Sequence, residues 1–451
     1  MSISPKEKML SLKRFNITSL YMLFLIIMFY FCTFQHRWLM NITGGRGLND
    51  FALLLVLSCM ILLPQILSYK LPWDRIAKIN SLIIVSCLWG TLSNFYHEKG
   101  YDNIRGQTIY IFTPLILYLC MLSFRKYRYN ENIKLTLKIL LIVAVIFCLY
   151  ISFVVYVTGG NAEELHKYGH SELFEFHGRN MVRWSMPGRS STNFAPLLVP
   201  LVFVGLYLGK SSRRWSRCFY LCAAGFILFV VCSSISRGAF LMLAGAAIYL
   251  CFNGWLRTKK MREIFMLFFL ALAITLCFNS TIVLRTLATF KKLPVLSSID
   301  ILNDVSIGSI EGKDPRVYAM HDTAKHIFDK PILGHGHTNF ITSQKLRIKE
   351  YSHNNYLKIL AVSGFPRFIF YILFLFSLFC MAHKTAQKLP ANDPEKDLGL
   401  ILCAGMVSFL IYLNLAPAEF SFIWIWFGFV AIWSRNVSIN SRKVYSTAIL
   451  S

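Results

Sequence analysis

Along this chain, apolar runs about as long as a bilayer is thick alternate with short polar turns. An α-helix needs about 20 such residues to cross a hydrocarbon core about 30 Å thick. Runs of that kind lie at approximately 17–34, 51–69, 79–96, 108–124, 135–157, 192–209, 218–235, 238–256, 263–279, 355–382, 398–416 and 420–434. The pattern predicts an all-α polytopic membrane protein of about 12 transmembrane helices. Only a tight turn around Ser236 and Arg237 separates the seventh run from the eighth. Pro64, Pro114, Pro196 and Pro200 fall inside runs, which a bundle tolerates because neighbouring helices can satisfy the freed carbonyls.

Two polar segments are too long to be turns, at about 158–191 and about 280–353. Long connections of that kind are usually functional. The chain therefore divides into a bundle over 1–279, a large loop over 280–353, and further spans with a tail over 354–451.

Charge orients this arrangement. Cations cluster in alternate turns: the N-terminal tail, Lys70/Arg75/Lys78, Arg125/Lys126/Arg128/Lys134, Lys210/Arg213/Arg214/Arg217, Arg257/Lys259/Lys260/Arg262, Lys384/Lys388/Lys396, and the tail with Arg435, Arg442 and Lys443. The intervening short turns carry few. The positive-inside rule then puts both termini in the cytoplasm and both long segments outside. Composition agrees, with 55% hydrophobic and only 15% charged residues in 451. A soluble chain carries roughly 25% charged residues. The net charge of +25 does not indicate a nucleic-acid protein in so apolar a chain. All 12 cysteines sit in apolar stretches, as small helix residues rather than a disulfide framework or zinc site.

Candidate chemistry gathers on the outer side. Of the 11 histidines only His383 falls inside, and His321, His326, His335, His337 and His353 lie in or at the end of the large loop. Arg237, in Ser-Ser-Ile-Ser-Arg-Gly-Ala, stands at the membrane boundary. Arg316 opens a helical pattern reaching about Phe328, and Arg183 and Arg189 lie in the shorter outer segment. A guanidinium at headgroup depth offers a fork of donors matched to phosphate oxygens, or it serves as an interfacial anchor. His353, where the loop enters the tenth run, can accept a proton from a hydroxyl near neutral pH, or be simply exposed. Asn354 and Asn355 can cap that helix or bind sugar hydroxyls. Gly-His-Gly-His at 334–337 lacks a matched third ligand, so no metal is assigned. Glu419 is the acid between the last two runs and can orient a base or simply be solvated.

Other functions lack their signatures. There is no Walker motif or GxGxxG for an ATP-driven pump. Charges within the runs are few (Lys138, Lys358 and Arg367, near ends), which argues against an ion-coupled transporter. The acidic motif of metal-dependent lipid-linked glycosyltransferases is missing from the first outer loop.

Three blocks, in order, resemble the O-antigen ligase and O-antigen polymerase superfamily of bacterial inner-membrane glycosyltransferases. Ser-Ile-Ser-Arg-Gly-Ala-Phe-Leu at 234–241 is similar to its serine-arginine-glycine turn. Arg316 through Pro331-Ile-Leu-Gly-His-Gly-His-Thr-Asn-Phe340 is similar to its arginine helix and Pro-x-x-Gly-x-Gly loop. Ser352-His-Asn-Asn-Tyr-Leu to Phe365 resembles its His-Asn-x-x-Leu helix start. The likeness covers about 130 residues, from 234 to 365. The second His of Gly-His-Gly-His departs from it, as does Glu419, where an Asp is expected.

The resemblance implies a GT-C-like fold and an undecaprenyl-diphosphate-linked glycan donor, used on the periplasmic face without metal, nucleotide or other cofactor. It implies His353, Arg237 and Arg316 as catalytic residues. Arg183, Arg189, Asn354, Tyr356, His335, His337 and Glu419 would surround the substrates. A ligase transfers the glycan to lipid A–core, and the outer basic segments suit that acidic acceptor. A polymerase joins lipid-linked repeat units and would work with a chain-length regulator. A lipid-linked sugar transporter is the reading from another class, and would need a polar cavity through the bundle.

Overall fold

A computed structural model describes residues 75–97, 129–158, 171–176, 179–184, 191–234, 236–255, 323–336, 354–415 and 421–450. Its helices are α1 (Arg75–His97), α2 (Tyr129–Val157), α3 (Ser191–Ser211), α4 (Arg214–Ser233), α5 (Arg237–Phe252), α6 (Asn355–Lys388), α7 (Pro394–Leu413) and α8 (Ser421–Leu450). Six of these described helices are long and apolar enough to cross a membrane: those at Ile76–His97, Ile133–Val157, Phe194–Ser211, Arg214–Ser233, Asn355–Lys388 and Pro394–Leu413. The helix at Gly238–Phe252 is apolar but shorter. This is a multi-pass membrane protein. The predicted runs at 17–34, 51–69, 108–124 and 263–279 lie outside the described residues.

Helix α3 forms the centre. Phe194 to Val204 is buried throughout, Pro196 and Pro200 included, and α2, α4, α5 and α7 pack around it. The outer helices show the reverse of a soluble amphipathic helix. On α2, Leu137, Leu140, Leu141, Ala144, Cys148 and Ile151 face the core, while Ile142, Ile146, Leu149 and Phe153 are exposed. On α1 the exposed face is Leu88, Leu92, Phe95 and Tyr96, and buried Asn80, Ser86, Ser93 and Asn94 put polar groups inside. Apolar surface outward and polar groups inward is the arrangement lipid favours, because a buried polar group can find a partner there.

Small residues set the closest helix contacts, as in other membrane bundles. A methyl added at Gly399 would fall 2.1 Å from the Trp433 ring, and one at Gly405 would fall 2.3 Å from Trp426. Trp426 Nε1 donates to the Leu402 carbonyl at 2.9 Å, so the ring cannot swing away cheaply. At one end of the bundle α7 begins with Glu395 and Asp397, which pair with Lys134 of α2 at 2.6 Å and Lys210 of α3 at 2.7 Å. The cationic turns of 134, 210 and 384–396 therefore share that end.

Three features differ from the expectations above. The all-α reading omits a β-hairpin, β1 (Ser171–Phe176) with β2 (Arg179–Trp184), paired antiparallel with Glu172 opposite Arg183. The signal was the two-residue His177-Gly178 link between aromatic-rich runs, a length that favours a hairpin. The last helix continues to Leu450, through the stretch assigned to a tail after 434. The tenth run is no straight span: α6 breaks at Gly364.

Replacing Gly405 by Ala should lower stability by about 1–3 kcal/mol through overpacking against Trp426. Gly225, where an added methyl meets nothing within 4 Å, should accept Ala without loss. Thermal melting in detergent, followed by size-exclusion chromatography, compares the two. Equal melting points would contradict the tight seam between α7 and α8.

Candidate active site

The break in α6 begins with Gly364, at φ 77° and ψ 179°. Only glycine takes that conformation readily, and Pro366 two residues later has no N–H to continue the hydrogen-bond ladder. A methyl at Gly364 would also fall 2.1 Å from the Ile332 carbonyl oxygen. The rings of Tyr356 and Tyr371 lie only 6.5 Å apart. On a straight helix those residues would be about 22 Å apart at 1.5 Å per residue. The first arm of α6 thus folds back beside the second.

A helix opened in this way frees carbonyls and an amide, and the Pro331–Gly336 loop takes them up. His335 N donates to Ala361 O at 2.8 Å, Gly336 N to Val362 O at 3.0 Å, and Phe365 N to Pro331 O at 2.8 Å. Helix α1 supplies the rest. Trp89 Nε1 donates to Ile332 O at 3.3 Å and Ser363 O at 3.2 Å. Ser93 Oγ reaches both Leu333 O and Val362 O. Ser86 Oγ donates to Arg367 O at 3.1 Å, and the Arg367 guanidinium to Ser363 Oγ at 3.0 Å. Three pieces of chain far apart in sequence are locked together here.

The folded-back arm brings its start to the far end of α7. Asn354 caps α6, its Oδ1 accepting from Leu357 N at 3.1 Å, and its Nδ2 donates to Asn414 Oδ1 at 2.5 Å. Tyr356 donates its hydroxyl to Leu410 O at 3.1 Å, tying the arm to α7. The start of α5 arrives at the same place. Ser236 caps it, accepting from Ala239 N at 3.4 Å, and a methyl at Gly238 would lie 3.5 Å from Leu415. Arg237 is the first residue of α5. The hairpin joins this end through Trp184, whose ring meets Phe229 of α4 edge-on at 5.6 Å. Strand β2, which carries Arg183, therefore docks near the turn leading to Arg237.

Two helix N-termini, each carrying partial positive charge, converge on the C-terminus of α7. Neither has an acid in its first turn, and α5 begins with an arginine. A cation at a helix N-terminus is unfavourable by about 0.3–1 kcal/mol. An anion bound there would reverse that sign.

Of the predicted residues, Arg237, Asn354 and Tyr356 come to this end. His335 stands in the loop at the α6 break, its Nε2 2.7 Å from His326 O, while His326 Nδ1 pairs with Asp329 at 2.8 Å. Arg316, His353, Arg189, His337 and Glu419 lie outside the described residues. His353 directly precedes the cap Asn354 in sequence.

Residues 221–372 match a family model described as O-antigen ligase. Over that third of the chain the sequence is similar to the O-antigen ligase family. No curated protein matches the chain. The matched O-antigen ligase segment runs from within α4 through α5 to just past the α6 break, so it contains Arg237, Arg316, His353 and the Gly334–Gly336 loop. Members of this family are glycosyltransferase-like enzymes acting on lipid-linked glycans in membranes.

Sequence reasoning missed the residues that shape the matched segment from outside: Trp89 and Ser93 of α1, and Asn414, the C-terminal cap of α7. The available signals were Ser363-Gly-Phe-Pro inside an apolar run and the Ser93-Asn94 pair late in another.

Replacing Gly364 by Ala should cost about 1–3 kcal/mol in backbone strain. The clash with Ile332 adds to that. Amide hydrogen exchange in 355–363 and 331–336 should rise together, because each segment holds the other. Unchanged protection in both would show that the loop and the break are independent.

Proposed function

We propose that the chain is an O-antigen ligase. It transfers a glycan from undecaprenyl diphosphate to a lipid A–core acceptor on the periplasmic face of the bacterial inner membrane, without a metal. The observation that carries this reading is the convergence of the α5 and α6 starts at the end of α7, inside the segment with family similarity. Both termini are cytoplasmic in this reading, residues 280–353 are periplasmic, and the Lys134–Glu395 end of the bundle faces the cytoplasm.

The chemistry asks little beyond charge, position and one proton transfer. The acceptor hydroxyl attacks the anomeric carbon as the bond from that carbon to the diphosphate oxygen breaks. The configuration inverts, and the electron pair leaves with undecaprenyl diphosphate. Arg237 and Arg316 hold the diphosphate and stabilise its growing charge, assisted by the helix N-termini. His353 accepts the acceptor's proton and later returns it to water. A positioned base supplies about 10²–10⁴-fold. Arg183 and Arg189 suit the phosphates of donor or core, and Glu419 suits orientation of the histidine. His335, His337, Asn354 and Tyr356 line or shape the surroundings.

A deletion strain complemented with variants tests the proposal through its lipopolysaccharide profile. Loss of the chain should leave core without polymer while lipid-linked polymer accumulates. Core bearing a single repeat unit would instead identify a polymerase acting with a chain-length regulator. Arg237→Ala, Arg316→Ala and His353→Ala should each reproduce the deletion at normal protein levels. Lys at 237 or 316 should rescue only partly, since it keeps charge but loses the paired donors. Wild-type profiles from His353→Ala would remove the base assignment.

A further inference from the structure

The segment 323–336 belongs to what the hydropathy pattern assigns to a water-exposed loop, yet its contacts put it beside the body of a membrane span. It climbs along α1: Ile332 O is held by Trp89, Leu333 O by Ser93, and Gly336 lies against His97. Trp89 stands about 12 Å below His97 at 1.5 Å per helical residue. The candidate span Ile76–His97 measures about 33 Å, close to the hydrocarbon thickness. Tyr96, 73% exposed beside Phe95, suits the aromatic belt at the membrane boundary. Ile332 is thus roughly 10 Å inside that boundary.

Irregular backbone survives at such depth only where its polar groups have partners. The carbonyls of Pro331, Ile332 and Leu333 accept from Phe365, Trp89 and Ser93, and Gly334 N donates to Lys330 O at 2.9 Å. The side chains point the other way. Phe328 is 76% exposed and Ile332 63% exposed, with Phe328 6.2 Å from the ring of Phe365 at the helix break. Trp89, which holds the Ile332 carbonyl, lies in sequence between the exposed Leu88 and Leu92 of α1. Between Phe328 and Ile332 lie Asp329, paired with His326 at 2.8 Å, and Lys330. Lys325 and Lys330 are exposed, with stems long enough to bring their charge to headgroup phosphates.

We propose that residues 325–332 form a re-entrant wedge seated in the lipid leaflet at the His97 end of α1. Phe328 and Ile332 touch phospholipid acyl chains, and Lys325 and Lys330 reach the headgroup phosphates. The wedge stands independently of the glycosyl-transfer reading, because it follows from depth, exposure and backbone satisfaction alone.

The test places the photoreactive analogue benzoylphenylalanine at Phe328, and separately at Ile332, in the full chain. Each protein is reconstituted in nanodiscs of phosphatidylethanolamine and phosphatidylglycerol and irradiated, and adducts are identified by mass spectrometry. Leu149, on the exposed apolar face of α2, serves as the lipid-facing control, and Asn392, exposed between α6 and α7, as the water-facing one. Phospholipid adducts at 328 or 332 should match the yield at 149 and be absent at 392. Either site alone decides if the other does not yield folded protein. Cross-links to another segment of the chain, adducts confined to a polyprenyl lipid, or yields no higher than at 392 would each overturn the wedge.

Discussion

The structure depends on one interlock, in which the glycine-rich loop closes the gap that Gly364 opens in α6. A transmembrane helix cannot leave carbonyls bare, so a break there needs donors at fixed positions. The amides of His335 and Gly336 and the side chains of Trp89 and Ser93 meet that demand. Gly334 fits for the same reason as Gly364: its φ is +66°, and a methyl there would strike Val362. With the break held open, the first arm of α6 turns back and Asn354 reaches Asn414. Without it, α6 would run straight and its start would stand away from α5 and α7.

From that geometry follows a division of labour between the two ends of the bundle. One end is neutralised, with the acids at the start of α7 paired to Lys134 and Lys210. Such partly exposed pairs are each worth about 0.2–1 kcal/mol, enough to favour a register but not to build a site. The opposite end gathers helix N-termini, Arg237 and capped serine and asparagine residues, all suited to an anionic ligand. By charge alone, an anion is favoured at the second end over the first.

Much of the helix layout was legible in the sequence, because lipid enforces one rule on every span. The runs at 192–209, 218–235 and 398–416 coincide closely with α3, α4 and α7. The Ser236–Arg237 turn was legible too, since a serine cap before a glycine-alanine helix is a local signal. Asn354 as a cap was readable for the same reason. The fold-back of α6 was not. Gly364 and Pro366 mark a weak point, but whether a helix breaks there depends on donors from α1, 270 or so positions away. Hydropathy likewise cannot tell a loop that re-enters lipid from one in water, because the few apolar side chains involved, Phe328 and Ile332, are scattered among lysines. Tyr356 reads as a residue for substrate until its hydroxyl is seen to serve Leu410.

The fold-back itself is the claim on which the site rests, and a cross-link between its two sides tests it most directly. Cysteines replacing Asn354 and Asn414 should be joined by a short bifunctional methanethiosulfonate in the membrane-embedded protein, with the linked peptides identified by mass spectrometry. Rapid and near-complete linkage, abolished when Gly364 is also replaced by Ala, is the result this account predicts. No linkage at 354–414, in protein that still melts cooperatively, would mean that α6 runs straight and that the α5 and α6 starts do not share a site.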